Sequence, residues 1–226
     1  MNLSPLDNPV WHALNSHHQH LAIRAEDAAR YQPGFVGAVA ISENSSVGLN
    51  NLRGLVDTNE IIGIFGAVPE DQSGWEVLQI DQIQQLINED LKPATQVAAV
   101  LLTAEDVPEM LDLVNLAQPG PFSSRTIEMG QYLGVRQDGH LVAMAGERFH
   151  LTGFCEVSAV CTHPDYRQRG YAGALTTMVA EAILERQEIP FLHVAPGNDH
   201  ALSLYTKLGF RIRTEIQVTI LKKLAE

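Results

Sequence analysis

The chain has 226 residues, enough for one large domain or two small ones. With 45% hydrophobic and 19% charged residues, extensive disorder is excluded. A net charge of −12 argues against nucleic-acid phosphates or anionic lipid as partners and favours cationic ones such as amines.

The first fourteen residues lack a basic start followed by an apolar run, so no secretory leader is expected. Residues 8–30 carry Trp11, Leu14, Leu21 and Ile23 among polar neighbours and are expected to form a helix. His12, His17, His18 and His20 crowd this segment, and His17 and His20 would share a helix face. No cysteine or carboxylate cluster completes a ligand set there, so a solvated face and no metal are expected. Segments 35–41, 60–68 and 75–80 read as strands between turn-rich spacers, and 81–88 as a short helix capped by Asp81 with Ile83, Leu86 and Ile87 on one face.

Leu91-Lys92-Pro93 marks a boundary between an N-terminal αβ half, residues 1–93, and a domain over 94–226. Residues 95–102 form a β-rich run whose apolar stretch is too short to span a bilayer. Thr103 and Asp106 make a capping box for a helix ended by Gln118-Pro119-Gly120-Pro121. Asp138-Gly139 joins segments 131–136 and 140–148 as a hairpin. A strand over 154–162, a helix over 170–186, a strand over 191–195, a helix over 199–208 closed by Gly209, and final strands over 210–221 complete the pattern. The order β-α-β-β-β-α-β-α-β predicts a mixed sheet with helices on its faces, an α/β fold. Cys155 and Cys161 lie six apart in one strand, where parity puts both side chains on one face, too far apart to bond. With no CxxC, a reducing, cytoplasmic compartment is expected.

Chemistry concentrates at Val160-Cys161-Thr162-His163-Pro164-Asp165-Tyr166-Arg167-Gln168-Arg169-Gly170-Tyr171-Ala172. A strand ends at a proline, a basic loop follows, and a helix begins. Unpaired N–H groups at a helix start carry the positive end of the macrodipole, and Arg167 and Arg169 add charge. This predicts a pyrophosphate site. No G-x-x-x-x-G-K-[ST], G-x-G-x-x-G, G-x-S-x-G or H-E-x-x-H occurs.

The stretch Arg167-Gln-Arg-Gly170-Tyr-Ala172 resembles the [Q/R]-x-x-G-x-[G/A] loop of the GNAT acyltransferase superfamily. A second block, Asn198 through Ala201 and Tyr205 to Gly209-Phe210, matches its N-x-x-A-x-x-x-Y-x-x-x-G-F spacing in the expected order. The resemblance covers residues 95–226. It is strongest to the subgroup whose extra N-terminal half is a degenerate second copy of the fold.

That resemblance implies a mostly antiparallel sheet flanked by helices and an N-acetyltransferase using acetyl-CoA on a small-molecule or peptide amine, and it leaves a homodimer open. It implies that Val160, Cys161 and Thr162 border the pantetheine arm and that Arg167, Gln168, Arg169, Gly170, Tyr171, Ala172 and Gly173 surround the pyrophosphate. Asn198 would contact the cofactor, and Tyr205 would protonate the departing thiolate. His193, Glu156 and Glu147 are the candidate bases. Cys161 lacks a His–acid partner, so direct transfer without an acyl-enzyme is expected. A non-catalytic acyl-CoA-binding or sensing module is the alternative.

Overall fold

In a computed structural model of the chain, residues 2–66 and 68–225 are described; Met1, Ala67 (inside the 60–68 segment) and Glu226 lie outside the described residues. Helix α1 (Pro9–Leu14) starts where the Asn8 side chain accepts the Trp11 N–H at 3.3 Å and Pro9 supplies a preset φ. It stops at Leu14, and the rest of the expected helix folds as a hairpin, β1 (Ala22–Ala25) and β2 (Ala28–Tyr31). Every residue of β2 is buried: Ala29 and Tyr31 enter the core under α1, and Ala28 enters the core on the other face. A strand covered on both sides shows no alternation, and its alanines read as helix.

Strands β3 (Ala38–Ile41) and β4 (Ile61–Phe65) lie where the sequence places them, but between them, where only turn-rich spacer is expected, α2 (Ser46–Arg53) forms. Strand β5 (Trp75–Ile87) runs straight through the expected 81–88 helix. Leu86 and Ile87 have helical spacing with Ile83, yet Leu86 enters one core cluster and Ile87 the cluster on the opposite face, as consecutive strand residues must.

The C-terminal order is as expected: β6 (Val100–Leu101), α3 (Val107–Ala117), β7 (Tyr132–Gln137), β8 (His140–Leu151), β9 (Phe154–Thr162), α4 (Tyr171–Glu185), β10 (Ile189–Val194), α5 (Asp199–Lys207) and β11 (Arg211–Lys223). The 95–102 run shrinks to two strand residues, and the final strands are one continuous β11. The Asp106 carboxylate accepts the Thr103 N–H at 2.7 Å, which completes the capping box one turn ahead of α3. Asp138 at φ 51° and Gly139 at φ 84° form the two-residue hairpin turn.

All strands among the described residues join one eleven-stranded sheet, β1-β2-β3-β4-β11-β5-β10-β9-β8-β7-β6. It is mostly antiparallel, with two parallel pairs, β3–β4 and β9–β10, whose crossovers are α2 and α4. Strand β5 lies between β10 and β11, and β11 lies between β4 and β5. Helices α1 and α3 cover one face, and α2, α4 and α5 the other. The 91–93 boundary falls between β5 and β6. No helix among the described residues is long and apolar enough to cross a membrane.

Candidate active site

Strands β9 and β10 pair at only three positions, ending at Phe191 opposite Glu156. Beyond that point β10 stays with β5, pairing His193 to Gln85, while β9 stays with β8, pairing Thr162 to Ala143. The two strands therefore diverge, and the far half of β9 presents main-chain N–H and C=O groups to the gap. The β8 register shifts between Met144 and Gly146, and Ala159 adopts φ 51°, so β9 carries a bulge there. Nothing in the apolar run around Ala159 signals this bulge, and sequence reasoning missed it.

The bulge corrects the cysteine parity. Cys155 packs with Leu175 and Val179 of α4, whereas Cys161 packs with Met110 of α3 and Tyr132 on the opposite face. One extra residue between them reverses the alternation. Both thiols are free and buried. Burial pushes the Cys161 thiol up to about 12, outweighing a hydrogen bond from the Met144 backbone.

From Thr162, whose buried hydroxyl has no partner among the described residues, the chain turns at Pro164 and reaches α4. Gln168 at φ 63° and Gly170 at φ 81° bend the loop, and α4 starts at Tyr171 with no side-chain cap. The first-turn N–H groups of Tyr171, Ala172 and Gly173 thus have no helical carbonyl to bond. A Cβ on Gly170 would meet only Thr95, at 3.9 Å, so conformation rather than space demands glycine. Arg167, Gln168 and Arg169 are exposed, and the Arg169 guanidinium lies 4.7 Å over the Tyr166 ring. An open strand edge, an uncapped helix start, two arginines and an orphan hydroxyl suit an extended chain that ends in a pyrophosphate.

Leu204 of α5 packs against buried Gly173, with its δ-carbon 3.4 Å from where a Cβ would sit. Asn198 caps α5 by accepting the Ala201 N–H at 3.1 Å. One turn on, Tyr205 is buried edge-on to Phe210. Its hydroxyl makes no hydrogen bond among the described residues, and burial, aided by Cys161, raises its pKa.

Glu156 and His193 meet at the closed end of the gap. Arg148 donates to both Glu156 carboxylate oxygens at 2.7 Å, and His193 Nδ1 lies 2.7 Å from one of them. Burial opposes ionisation of Glu156, but the Arg148 charge, its hydrogen bonds and the His193 bond hold the carboxyl down at about 2. Gln85 accepts from Arg213 at 2.8 Å through its oxygen, so its nitrogen donates, to the Leu6 carbonyl at 2.9 Å and to His193 Nε2 at 3.1 Å. The His193 proton therefore sits on Nδ1 and is donated to Glu156. Arg213 continues the chain of bonds to Asp7. Gln85 was missed because its partner His193 lies 108 residues away and leaves no local signal, and Arg148 because its pairing with Glu156 is set by how β8 and β9 meet. Glu147 stands apart, paired with Arg186 at 2.8 Å. His17 and His20 do not share a helix face, since α1 has already ended.

Comparison with known proteins agrees with this geometry. Residues 132–218 match the family model described as FR47-like protein. A protein assigned to the GNAT family of acetyltransferases, from Novosphingobium aromaticivorans, shares 35% identity over 98% of this chain and 99% of its own, with a TM-score of 0.89. The chain belongs to the GNAT family. Two further GNAT structures share its fold: one from Kribbella flavida, 16% identical over 95% of this chain and 96% of its own with a TM-score of 0.63, and a GNAT-like protein from Streptococcus suis, 16% identical over 88% and 85% with a TM-score of 0.52. No curated protein matches. GNAT members are acetyltransferases that use acetyl-CoA, and the curled, mostly antiparallel sheet flanked by helices is the GNAT architecture.

Proposed function

We propose that the protein transfers an acetyl group from acetyl-CoA to an amine in the gap between β9 and β10. The early end of the β9–β10 ladder, with the bulge at Ala159, carries this reading. It leaves a strand edge free to pair with the pantetheine arm as an added strand would, through main-chain groups of Val160 and Thr162, with Cys161 as an apolar wall. Gln168, Arg169, Gly170, Tyr171, Ala172 and Gly173 hold the pyrophosphate, and Arg167 adds charge. Asn198 contacts the cofactor while capping α5.

Main-chain N–H groups at the bulge polarise the thioester carbonyl. As the amine nitrogen bonds to the acetyl carbon, the carbon–sulfur bond breaks and Tyr205 gives its proton to the thiolate. A phenol is protonated at neutral pH, and burial raises this one further, so it is present as the acid when the thiolate forms. The amine proton goes to His193 Nε2, which Glu156 orients through Nδ1–H, once the Gln85 amide turns aside. Glu156 itself, at about 2, is too weak a base. A buried Cys161 thiol at about 12 supports direct transfer.

One observation favours the second reading, an acyl-CoA-binding module without turnover: both nitrogens of His193 are already hydrogen-bonded. Incubation with acetyl-CoA and a panel of small-molecule and peptide amines, following free thiol, separates the two. Turnover is expected, with Tyr205→Phe lowering kcat by about 10²–10⁴ at unchanged acetyl-CoA affinity. His193→Gln should likewise lower kcat at unchanged acetyl-CoA affinity. Tight binding with no thiol release from any amine would establish the binding module, and a wild-type kcat for Tyr205→Phe would remove the phenol from the mechanism.

A further inference from the structure

We propose that His17, His150 and Glu188 form a binding site for one zinc-type divalent ion. They come from three separate segments: the turn after α1, the end of β8, and the residue just before β10. One ligand atom from each lies within 4.8 Å of the others. His150 Nε2 is 2.7 Å and His17 Nε2 4.0 Å from the same Glu188 oxygen, and the two imidazoles stack in parallel at 3.9 Å. Two imidazoles and a carboxylate are a zinc donor set, with a solvent or fourth ligand completing a tetrahedron. In a tetrahedron, bonds of about 2.0–2.2 Å set donors roughly 3.3–3.6 Å apart, so the widest-spaced atoms need to close by up to about 1.5 Å, with the stacked rings turning toward the ion.

The positions are supported from behind. Arg186 bonds the other Glu188 oxygen at 3.2 Å and leaves the first facing the histidines. Arg186 is itself held by Glu147 at 2.8 Å. His18 anchors the turn that presents His17: it is buried, with Nδ1 2.8 Å from the Tyr31 hydroxyl and Nε2 2.9 Å from the Met129 carbonyl. Such outer partners are what fix metal ligands in place. His17 also faces a hollow shared with Asn15, Ser16, Gln19, His20 and Thr152, which gives an ion access from solvent. The cluster sits where Ile189 pairs with Phe154, at the closed end of the β9–β10 pair and away from the diverging end. An ion there staples the N-terminal turn to one end of the β8–β9–β10 strands and takes no part in acyl transfer.

Cobalt and zinc titrations of the full chain test this. One equivalent of Co²⁺ should give a visible d–d band that Zn²⁺ bleaches, and Zn²⁺ should raise the melting temperature. His17→Ala and Glu188→Gln should each abolish both effects. His17 is 45% exposed on its side chain, so the metal-free His17→Ala protein should melt like wild type. Losing a ligand should weaken zinc binding at least as much as losing an outer partner, about 10–100-fold. A histidine–carboxylate ion pair without metal predicts no cobalt band. That result, or an equal zinc shift in wild type and both variants, overturns the proposal.

Discussion

Strands β3 and β4 are joined through α2, and β9 and β10 through α4; both pairs are parallel, and both helices pack on the same face of the sheet. The two crossovers differ in how their helices begin. The Ser45 hydroxyl accepts the Gly48 N–H at 3.1 Å, which occupies the first turn of α2, and Ser42-Glu43-Asn44 before it brings acidic rather than basic charge. Helix α4 begins at Gly170 without a side-chain cap, after two arginines. The Asn8 side chain donates to the Ile41 carbonyl at 2.8 Å, so the end of β3 is taken up by the chain itself. Strand β10 leads into α5 and Tyr205, whereas among the described residues β4 leads to β5 without a helix. One topology thus provides a scaffold on one side and a candidate site on the other, and the difference lies in a few terminal residues. The matching order β1-β2-β3-α2-β4 and β7-β8-β9-α4-β10, with β5 and β11 exchanged at the centre, supports the proposal that residues 1–93 are a degenerate second copy.

Each half also has a bidentate Arg–Glu pair, and these differ in burial. Glu156 opposite Arg148 is 1% exposed, while Glu60 opposite Arg30 is 26% exposed. Glu156→Gln strands a buried guanidinium and should cost about 3–5 kcal/mol in urea unfolding. Glu60→Gln should cost about 1–3 kcal/mol, and equal losses would break the contrast. The acid limb sharpens it. The Glu156 carboxyl is depressed from 4.5 to about 2, so its contribution is complete above pH 4.5 and is lost as pH falls toward 2. Across that window wild type should lose on the order of 3 kcal/mol more than an Arg148→Met/Glu156→Gln double variant.

How legible each half is in the sequence follows from the same contrast. The C-terminal half is punctuated: Thr103 and Asp106 cap, Asp138-Gly139 turns, and Gly170 and Gly209 bound helices at positive φ. The N-terminal half also has caps, at Asn8 and Ser45, but its strands are disguised. Strand β2 is buried on both faces and has no alternation, and Leu86 and Ile87 imitate a helix stripe while serving opposite cores. Within the candidate site, the residues on the α4 and α5 termini were readable because caps and glycines are local. The bulge at Ala159 and the Arg148–Glu156–His193–Gln85 chain were not, because each is settled by strands that meet only in the fold.

Gly170→Ser would give α4 the cap residue that α2 has. At φ 81° the serine is strained, and the expected loss is about 1–2 kcal/mol of stability. Its hydroxyl would also compete for the first-turn N–H groups, so acetyl-CoA affinity should fall, as read by calorimetry. Unchanged affinity would mean that the uncapped start of α4 does not hold the pyrophosphate.

The reciprocal change is the smallest. Ser45→Ala removes the bond to the Gly48 N–H and should cost about 1 kcal/mol. Helix α2 would then begin with free N–H groups, as α4 does. It should still gain no acetyl-CoA affinity, because Ser42-Glu43-Asn44 stands where α4 has Arg167-Gln168-Arg169, and a helix dipole alone contributes about 0.3–1 kcal/mol at an exposed site. Calorimetric titration of Ser45→Ala should therefore show one acetyl-CoA site with wild-type affinity, alongside a lower urea midpoint. A second equivalent bound would mean that the N-terminal crossover retains a latent anion seat that its serine cap keeps shut.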